Sequence, residues 1–405
     1  LILILIKLIL ISCISEEINP VPDASALSRR SGLILSFSTV EGREILSAID
    51  TGCDVCLIDE MFFDTSEEKA SQSVNTPVIL ADGRKLDGSV TPIQLQLKSH
   101  QPEIAYAVFM DTKPLASATG VPVQAFIGMN ILSRTPFGLR APLKYIQYTD
   151  KELPPVDRAL MLNSNMERLR TNVTLPGLGA QDAALDTGML STMRVTAGQM
   201  KRSISLGHAQ ACPALNRQTM AADGGIRDVE FYWLRSITIG ETSFQNIPVC
   251  VGPHLTIGMG LIRHLNLTVD AKSRRIWIEP GPTAQTASFA PGATGYFFRF
   301  DGDGKLMVLP NMRPGGPGEL AGIQPGDEII TIDGKPAADF TIYEVTDRFS
   351  QAGTSLTLTC KRDGKLFDSK LELKHRIAYP PKWSEQKDAG DDSSFGIDTE
   401  ERHQR

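Results

Sequence analysis

The tripeptide Asp-Thr-Gly occurs twice, at Asp50-Thr51-Gly52 and Asp186-Thr187-Gly188, each time after an alanine and one aliphatic residue, Ala48-Ile49 and Ala184-Leu185. Standing alone, such a tripeptide is ordinary turn chemistry, in which glycine supplies a positive φ and aspartate bonds its own backbone. Two copies in matched surroundings point instead to paired carboxylates. A carboxylate pair can carry out general acid–base work on water: one acid takes the proton of the nucleophile while the other protonates a carbonyl oxygen. Carboxyl groups held about 3 Å apart share one proton, because both cannot ionise side by side. The apparent pKa values then belong to the pair. This chemistry calls for no metal and no other cofactor.

The elements that must position the two acids also repeat. A hairpin pattern precedes each: Leu33 to Val40, a turn at Glu41-Gly42 and Ile45 to Ile49, then Asn172 to Leu175, a turn at Pro176-Gly177 and Ala183 to Leu185. A second turn follows each, Leu80-Ala81-Asp82-Gly83 and Ala221-Ala222-Asp223-Gly224. Further on, Phe126-Ile127-Gly128-Met129 is echoed by Thr256-Ile257-Gly258-Met259. These landmarks recur in one order, so two homologous lobes are expected.

Over roughly residues 31 to 282 this set resembles the retropepsin and pepsin group of aspartic peptidases. In that group each lobe contributes one Asp-Thr-Gly loop, one flap hairpin and one hydrophobic-hydrophobic-Gly segment. The resemblance implies a mainly β, bilobal acid-protease β-barrel fold, with lobes at 31–150 and 157–282. It assigns catalysis to Asp50 and Asp186, with loop support from Thr51, Gly52, Thr187 and Gly188. Gly128 and Gly258 would permit a close backbone approach beneath the loops, and the threonines would lock the loops together across the lobe boundary. Asp82-Gly83 and Asp223-Gly224 would tip retropepsin-like flaps. The sequence departs from the family after each glycine, where Cys53 and Met189 replace a small residue, usually Ala, Ser or Thr.

Between Pro280 and Thr294 the composition turns to Pro, Gly, Ala, Ser and Thr, a linker signature placed at 283–293. Glu319-Leu320-Ala321-Gly322-Ile323, then Pro325-Gly326-Asp327-Glu328-Ile329-Ile330 and Asp333-Gly334, closely resembles the bacterial PDZ pattern, so a PDZ domain is expected over 294–377. Tyr343 to Gln351 would be its groove helix, with Leu356 to Arg362 and Lys370 to Lys374 as closing strands. The resemblance implies capture of an extended peptide, such as a C-terminal one, beside an edge strand. Gly295-Tyr296-Phe297-Phe298 is the expected carboxylate loop and edge strand; the rival reading is a core strand with the aromatics simply buried.

The chain opens on an apolar run, residues 1–12, too short to span a bilayer and similar to the h-region of an export signal. Leu10-Ile11-Ser12-Cys13 resembles a bacterial lipobox, which would make Cys13 a lipidation site and place the protein in the periplasm or cell envelope. Residues 13–30 read as a linker and 378–405, rich in charge and Ser/Gly, as a disordered tail.

A net charge of −6, with both signs interspersed, argues against a nucleic-acid partner. Six cysteines are too few for a disulfide scaffold. Cys53-x-x-Cys56 has no second pair to complete a zinc site, and Cys212 and Cys250 lie in one lobe where a bridge is conceivable. The sequence thus leads to an aspartic-type endopeptidase acting on a protein or peptide substrate, complete as a monomer, with a PDZ domain for recruitment. The rival is a catalytically silent envelope scaffold that works through peptide capture alone.

Overall fold

In the computed structural model the described residues are 24–62, 74–79, 85–97, 101–113, 116, 119–141, 146–148, 153–163, 168–212, 217–220, 226–309, 315–375 and 379–383. The chain is mainly β, with two barrel-like lobes followed by a PDZ-like sheet.

The first lobe comprises β1 (Leu35–Val40), β2 (Arg43–Ile49), β3 (Cys56–Asp59), β4 (Val74–Ile79), β5 (Lys85–Leu97), β6 (Glu103–Met110) and β7 (Ala125–Ile127). Their order is β1-β2-β7-β3-β6-β5-β4, and β1 also pairs with β5, which closes the sheet on itself. Glu41 and Gly42, at φ 48° and 78°, make the two-residue turn between β1 and β2. Next come β8 (Phe137–Leu139), β9 (Ile146–Tyr148) and β10 (Leu160–Met161).

The second lobe comprises β11 (Arg170–Leu175), β12 (Gly179–Asp186), β13 (Met193–Val195), β14 (Ala209–Ala211), β15 (Arg217–Met220), β16 (Ile226–Val229), β17 (Phe231–Ile239), β18 (Thr242–Val251) and β19 (Thr256–Gly258). The order β11-β12-β19-β13-β18-β17-β14, closed by a β11–β17 pairing, repeats the first six places of the first lobe strand for strand. The repeat read in the sequence is therefore a repeat of topology. Strands β15 and β16 form a separate hairpin, and β4 with β5 its counterpart. The expected flap tips, Asp82, Gly83, Asp223 and Gly224, lie outside the described residues, as does Cys13.

A further sheet ties the lobes together. Strands β20 (Leu265–Asp270) and β21 (Arg275–Pro280) join β10, β8 and β9 in the order β10-β21-β20-β8-β9, so β8, which follows the first lobe, pairs directly with β20, which follows the second. One continuous apolar core runs through both lobes, from Ile49 and Ile127 to Leu185 and Ile257, all at 0% exposure.

The third module has its own core around Phe300, Ile332, Leu358 and Leu371. Its strands are β22 (Phe297–Phe300), β23 (Leu306–Leu309), β24 (Glu328–Ile332), β25 (Lys335–Pro336), β26 (Ser355–Arg362) and β27 (Lys365–Glu372), ordered β22-β23-β24-β26-β27 with β25 beside β24. The groove helix spans Ile342–Arg348 rather than 343–351, because Thr341 and Glu344 form a capping box that fixes its start. Strand β27 begins at Lys365, five residues before the expected Lys370. Asp363 and Gly364, at φ 49° and 79°, make a two-residue turn that joins it directly to β26.

Described parts of the two expected linkers and of the expected tail pack against the lobes. Ala24–Ser31, within the expected 13–30 linker, is a helix whose Leu27 packs on Leu33, Leu35 and Leu46 of the first lobe. In the 283–293 linker, Phe289 is 6% exposed and sits edge-on to Phe244 and His264, with ring centroids 5.9 Å from each. The start of the tail is pinned to the second lobe: Tyr379 lies 5.6 Å from Trp233, and Trp383 donates Nε1–H to Asn246 Oδ1 at 2.8 Å. Polar composition hid a few aromatic and aliphatic anchors in each.

All described cysteines are free thiols. Cys212 and Cys250 flank Phe231 from opposite sides of β17, since Cys212 N donates to Phe231 O and Phe231 is in register with Cys250. Two interstrand spacings, roughly 10 Å, exceed the reach of a disulfide.

Candidate active site at the lobe boundary

The Asp-Thr-Gly loops owe their shape to an unusual strand arrangement. Strand β7 runs parallel to β2 and antiparallel to β3, so the strands that enter and leave the first loop do not pair with each other; both clasp β7. The second lobe repeats this with β19 between β12 and β13. Asp50 N donates to Ile127 O at 3.0 Å, and Asp186 is in register with Gly258. Beneath each loop the backbone is too close for any side chain. A Cβ on Gly128 would lie 2.6 Å from Val55 O, and one on Gly258 would lie 2.5 Å from Met189 O. Glycine is thus required at both places by packing.

The loops meet across the boundary. Thr51 Oγ1–H donates to Leu185 O at 2.6 Å, and Thr187 Oγ1–H donates to Ile49 O at 2.6 Å. In return, Thr51 N donates to Thr187 Oγ1 at 3.1 Å and Thr187 N to Thr51 Oγ1 at 3.2 Å. Both threonines are 0% exposed. The tripeptide glycines complete the interlock. A Cβ on Gly52 would stand 2.5 Å from Asp186 Oδ1, and one on Gly188 would stand 2.5 Å from Asp50 Oδ2. Each carboxyl group therefore rests on the opposite loop's glycine.

Asp50 and Asp186 are brought together, each carboxyl group seated on the opposite loop and close enough to act on the other's ionisation. Burial, and then the charge of Asp186, push the Asp50 carboxyl well above the usual carboxylate range. Burial also raises Asp186, against several opposing groups. The surroundings are unequal. Asp50 Oδ1 accepts one amide, Gly52 N at 2.9 Å; Asp186 Oδ1 accepts two, Gly188 N at 2.9 Å and Met189 N at 3.0 Å. Two amide donors favour the ionised form more than one.

Cys53 and Met189, the departures noted in the sequence, contribute main chain rather than side-chain hydroxyls. Met189 is 6% exposed and lends its amide to Asp186, while burial raises the Cys53 thiol. Burial likewise pushes the Cys56 thiol up to about 12, as befits a packing cysteine. Two arginines near the pair carry no motif in the sequence. The charge of Arg168 favours ionisation of Asp50, and that of Arg194 favours ionisation of Asp186. Arg168 also crosses the boundary, its amide donating to Asp54 Oδ1 at 3.1 Å and its side chain pairing with the same carboxylate at 3.4 Å. No cluster of potential metal ligands occurs among the described residues.

In the third module, Gly295 takes φ 83° and Phe298 packs on Phe349 with ring centroids 4.3 Å apart. Phe297 is 37% exposed. Tyr296 is engaged internally: its hydroxyl donates to Ile323 O at 2.9 Å and its amide to Thr294 Oγ1 at 3.0 Å. The helix Ile342–Arg348 lies beside β22, the edge of the sheet. The buried Asp327 of the Gly-Asp turn, 1% exposed, is gripped by Arg362 through Nε and Nη2 at 2.7 and 2.8 Å.

Residues 309–362 match the family model for the PDZ domain. This segment is a PDZ domain. The chain is similar over 85 residues to glutamate receptor-interacting protein 1 of Rattus norvegicus, at 31% identity, covering 21% of this chain and 7% of that protein. Over 90 residues it is 34% identical to the chloroplastic C-terminal processing peptidase of Tetradesmus obliquus, covering 21% of this chain and 19% of that protein. The chain thus spans less than a fifth of the length of these relatives. The family match lies wholly in the third module and does not extend to the lobes. The comparison also corrects one expectation: the enzyme among these relatives is a C-terminal processing peptidase and not an aspartic-type endopeptidase, so the sequence-based classification as the latter is overturned.

Proposed function

We propose that the chain captures a peptide through its PDZ domain and acts on it as a peptidase, with the Asp50–Asp186 pair as a proton-sharing centre at the lobe boundary. PDZ domains bind peptide ligands, and the similarity to a processing peptidase supports peptide as the common substrate class. The observation that carries the reading is the mutual seating of the carboxyl groups, each resting on the opposite loop's glycine and held by crossed threonine hydroxyls. Two acids fixed in contact and short of solvent are otherwise a liability to the fold, and they are the arrangement needed to share one proton.

In this reading Asp50 holds the shared proton and Asp186 is the carboxylate. Asp186 Oδ1 accepts two amides where Asp50 Oδ1 accepts one, which favours Asp186 as the anion. Both acids come from one chain, so the centre is complete in a monomer. Export, and lipid attachment at Cys13, belong to the same proposal and rest on the apolar run at residues 1–12.

The test is hydrolysis of an unfolded protein such as fluorescein-labelled casein by the full chain, compared with Asp50→Asn and Asp186→Asn. Cleavage by the parent and none by either variant supports the centre; equal cleavage by all three removes it. A second reading, peptide capture without hydrolysis, is favoured by the 8% exposure of Asp186 and by the absence of a side-chain hydroxyl after either glycine. It predicts no cleavage by the parent.

A further inference from the structure

The peptide lane of the PDZ domain is turned onto the body of the protein. Val308 N donates to Asp327 O, so its polar groups face β24, and those of Met307 and Leu309 face β22. By antiparallel alternation Arg299 and Phe297 bond to β23, which leaves Phe298 and Phe300 facing the outer edge of β22. That edge has no strand partner among the described residues. It is nevertheless covered. Gly120 of the first lobe lies so close to Phe300 O that a Cβ would overlap it, and that Cβ would also be 3.1 Å from Arg299 Cδ. The helix Ala24–Ser31 lies against both β22 and the groove helix Ile342–Arg348. Its far end is latched: Tyr343 Oη–H donates to Gly32 O at 2.8 Å. Gly32 has φ 78°, and a Cβ there would be 3.0 Å from Tyr343 Oη and 3.2 Å from Ile342 Cγ2. Arg30 reaches over Gly304 in the β22–β23 turn.

An added strand needs a lane about 4.8 Å wide beside its host, with the groove helix on its other flank. The helix Ala24–Ser31 touches both walls of that lane. We infer that this helix is a built-in competitor of peptide at the PDZ groove, so that capture of an extended peptide requires the helix and Gly32 to leave. The inference rests on the peptide-capture half of the proposed function and is independent of hydrolysis. Release would be felt at the carboxyl pair. Ser28 Oγ accepts Leu35 N at 2.9 Å, and Ile34 O accepts Ile49 N at 2.8 Å, next to Asp50.

The experiment uses the full chain and Gly32→Val, which crowds the seat under Tyr343. Amide exchange of segments 24–32 and 297–300 is followed by mass spectrometry, with and without a fluorescein-labelled heptapeptide ending in a free valine carboxylate. The expected results are exchange at 297–300 about tenfold faster in Gly32→Val, peptide affinity about tenfold higher, and faster exchange at 24–32 when peptide is added to the parent. Unchanged exchange at 297–300 in a variant whose 24–32 segment has come free overturns the inference. So does peptide binding to the parent that leaves 24–32 protected. Tyr343→Phe, which keeps the shape and removes the latch bond, gives a smaller shift in the same direction and serves if Gly32→Val does not fold. Failure of the opened variant to bind peptide counts against peptide capture itself, while the exchange comparison still decides whether the helix covers the edge.

Discussion

Thr51 and Thr187 are bonded each to the other lobe's main chain, Thr51 Oγ1 to Leu185 O and Thr187 Oγ1 to Ile49 O, both at 2.6 Å. The acceptors directly precede the two aspartates, so the hydroxyls set the separation of the carboxyl groups through one residue of backbone. Thr51→Ala removes a buried donor and leaves Leu185 O and Thr187 N without it, which costs about 1–3 kcal/mol for each stranded group. Denaturant unfolding should show that loss, and any hydrolytic activity should fall with it. Thr51→Ser keeps the hydroxyl and loses only a methyl, about 0.8 kcal/mol, so it should restore most of both. Equal loss in Ala and Ser would mean the methyl packing, not the crossed bonds, holds the loops.

The carboxyl pair makes a prediction for stability as well as for chemistry. Asp50 has a raised folded pKa, so the folded state binds its proton more tightly than the unfolded chain, whose reference value is 3.8. Its contribution is fully present below pH 3.8 and is lost as pH rises through the raised folded value. Asp50→Asn, neutral at every pH and still able to accept Gly52 N, should therefore be more stable than the parent at pH 7 and nearly equal to it below pH 3.8. Hydrolysis, if present, should fall by at least about 10²-fold in the same variant. Thermal melts across pH 3 to 8 check the first part. A variant less stable than the parent at pH 7 would show that the charged pair is not strained by burial.

Gly128 and Gly258 separate packing from propensity. Alanine at either puts a Cβ within 2.6 Å of a backbone oxygen, an overlap that only movement of the Asp-Thr-Gly loop can relieve. A loss of several kcal/mol, or failure to fold, is expected for Gly128→Ala and Gly258→Ala. Gly198, in the helix Ala197–Ser205, faces open space, and Gly198→Ala should be neutral or stabilising by up to about 1 kcal/mol. Denaturation midpoints of the three variants settle the contrast.

Much of this was legible because the signals were local and repeated. The two Asp-Thr-Gly loops, the turn at Glu41-Gly42 and the echo of Ile127-Gly128 in Ile257-Gly258 are statements about backbone shape that glycine and aspartate write into sequence. The PDZ pattern around Gly326-Asp327 and Asp333-Gly334 was legible for the same reason. Hidden features depend on partners far away in the chain. Arg168 meets Asp54 only because the lobes close, and β8 joins β20 across more than a hundred residues. The helix Ala24–Ser31 is short and polar on average, and although Gly32 at φ 78° marks its end, where it docks is decided by Leu27 and by the seat at Gly32 and not by propensity. The capping boxes at Thr196-Gln199 and Thr341-Glu344 were readable as Thr-x-x-Gln and Thr-x-x-Glu, yet only the apolar residues after them show that a helix follows.

His264 sets an acid limit to the fold. It is 4% exposed, its Nδ1 is paired with Thr283 Oγ1 at 2.8 Å, and it is enclosed by Phe244 and Phe289. Burial, and then the charge of Arg263, push its pKa down to about 3 from 6.5. A depressed folded value for histidine means the stability it confers is present above pH 6.5 and is lost as pH falls through about 3. At about 1.4 kcal/mol per pH unit, the chain should give up roughly 2 kcal/mol between pH 6.5 and pH 5 from this group alone. The Asp50–Asp186 pair runs the other way, since its shared proton is best kept in acid. Stability and protonation of the pair thus oppose each other below pH 6.5. His264→Gln, which keeps a polar contact for Thr283 without titrating, should flatten the acid limb of the stability profile while leaving the rising limb due to Asp50 in place. Denaturant unfolding of parent and variant at pH 7, 6, 5 and 4 measures this directly; parallel profiles would mean that His264 gains its proton without cost to the fold.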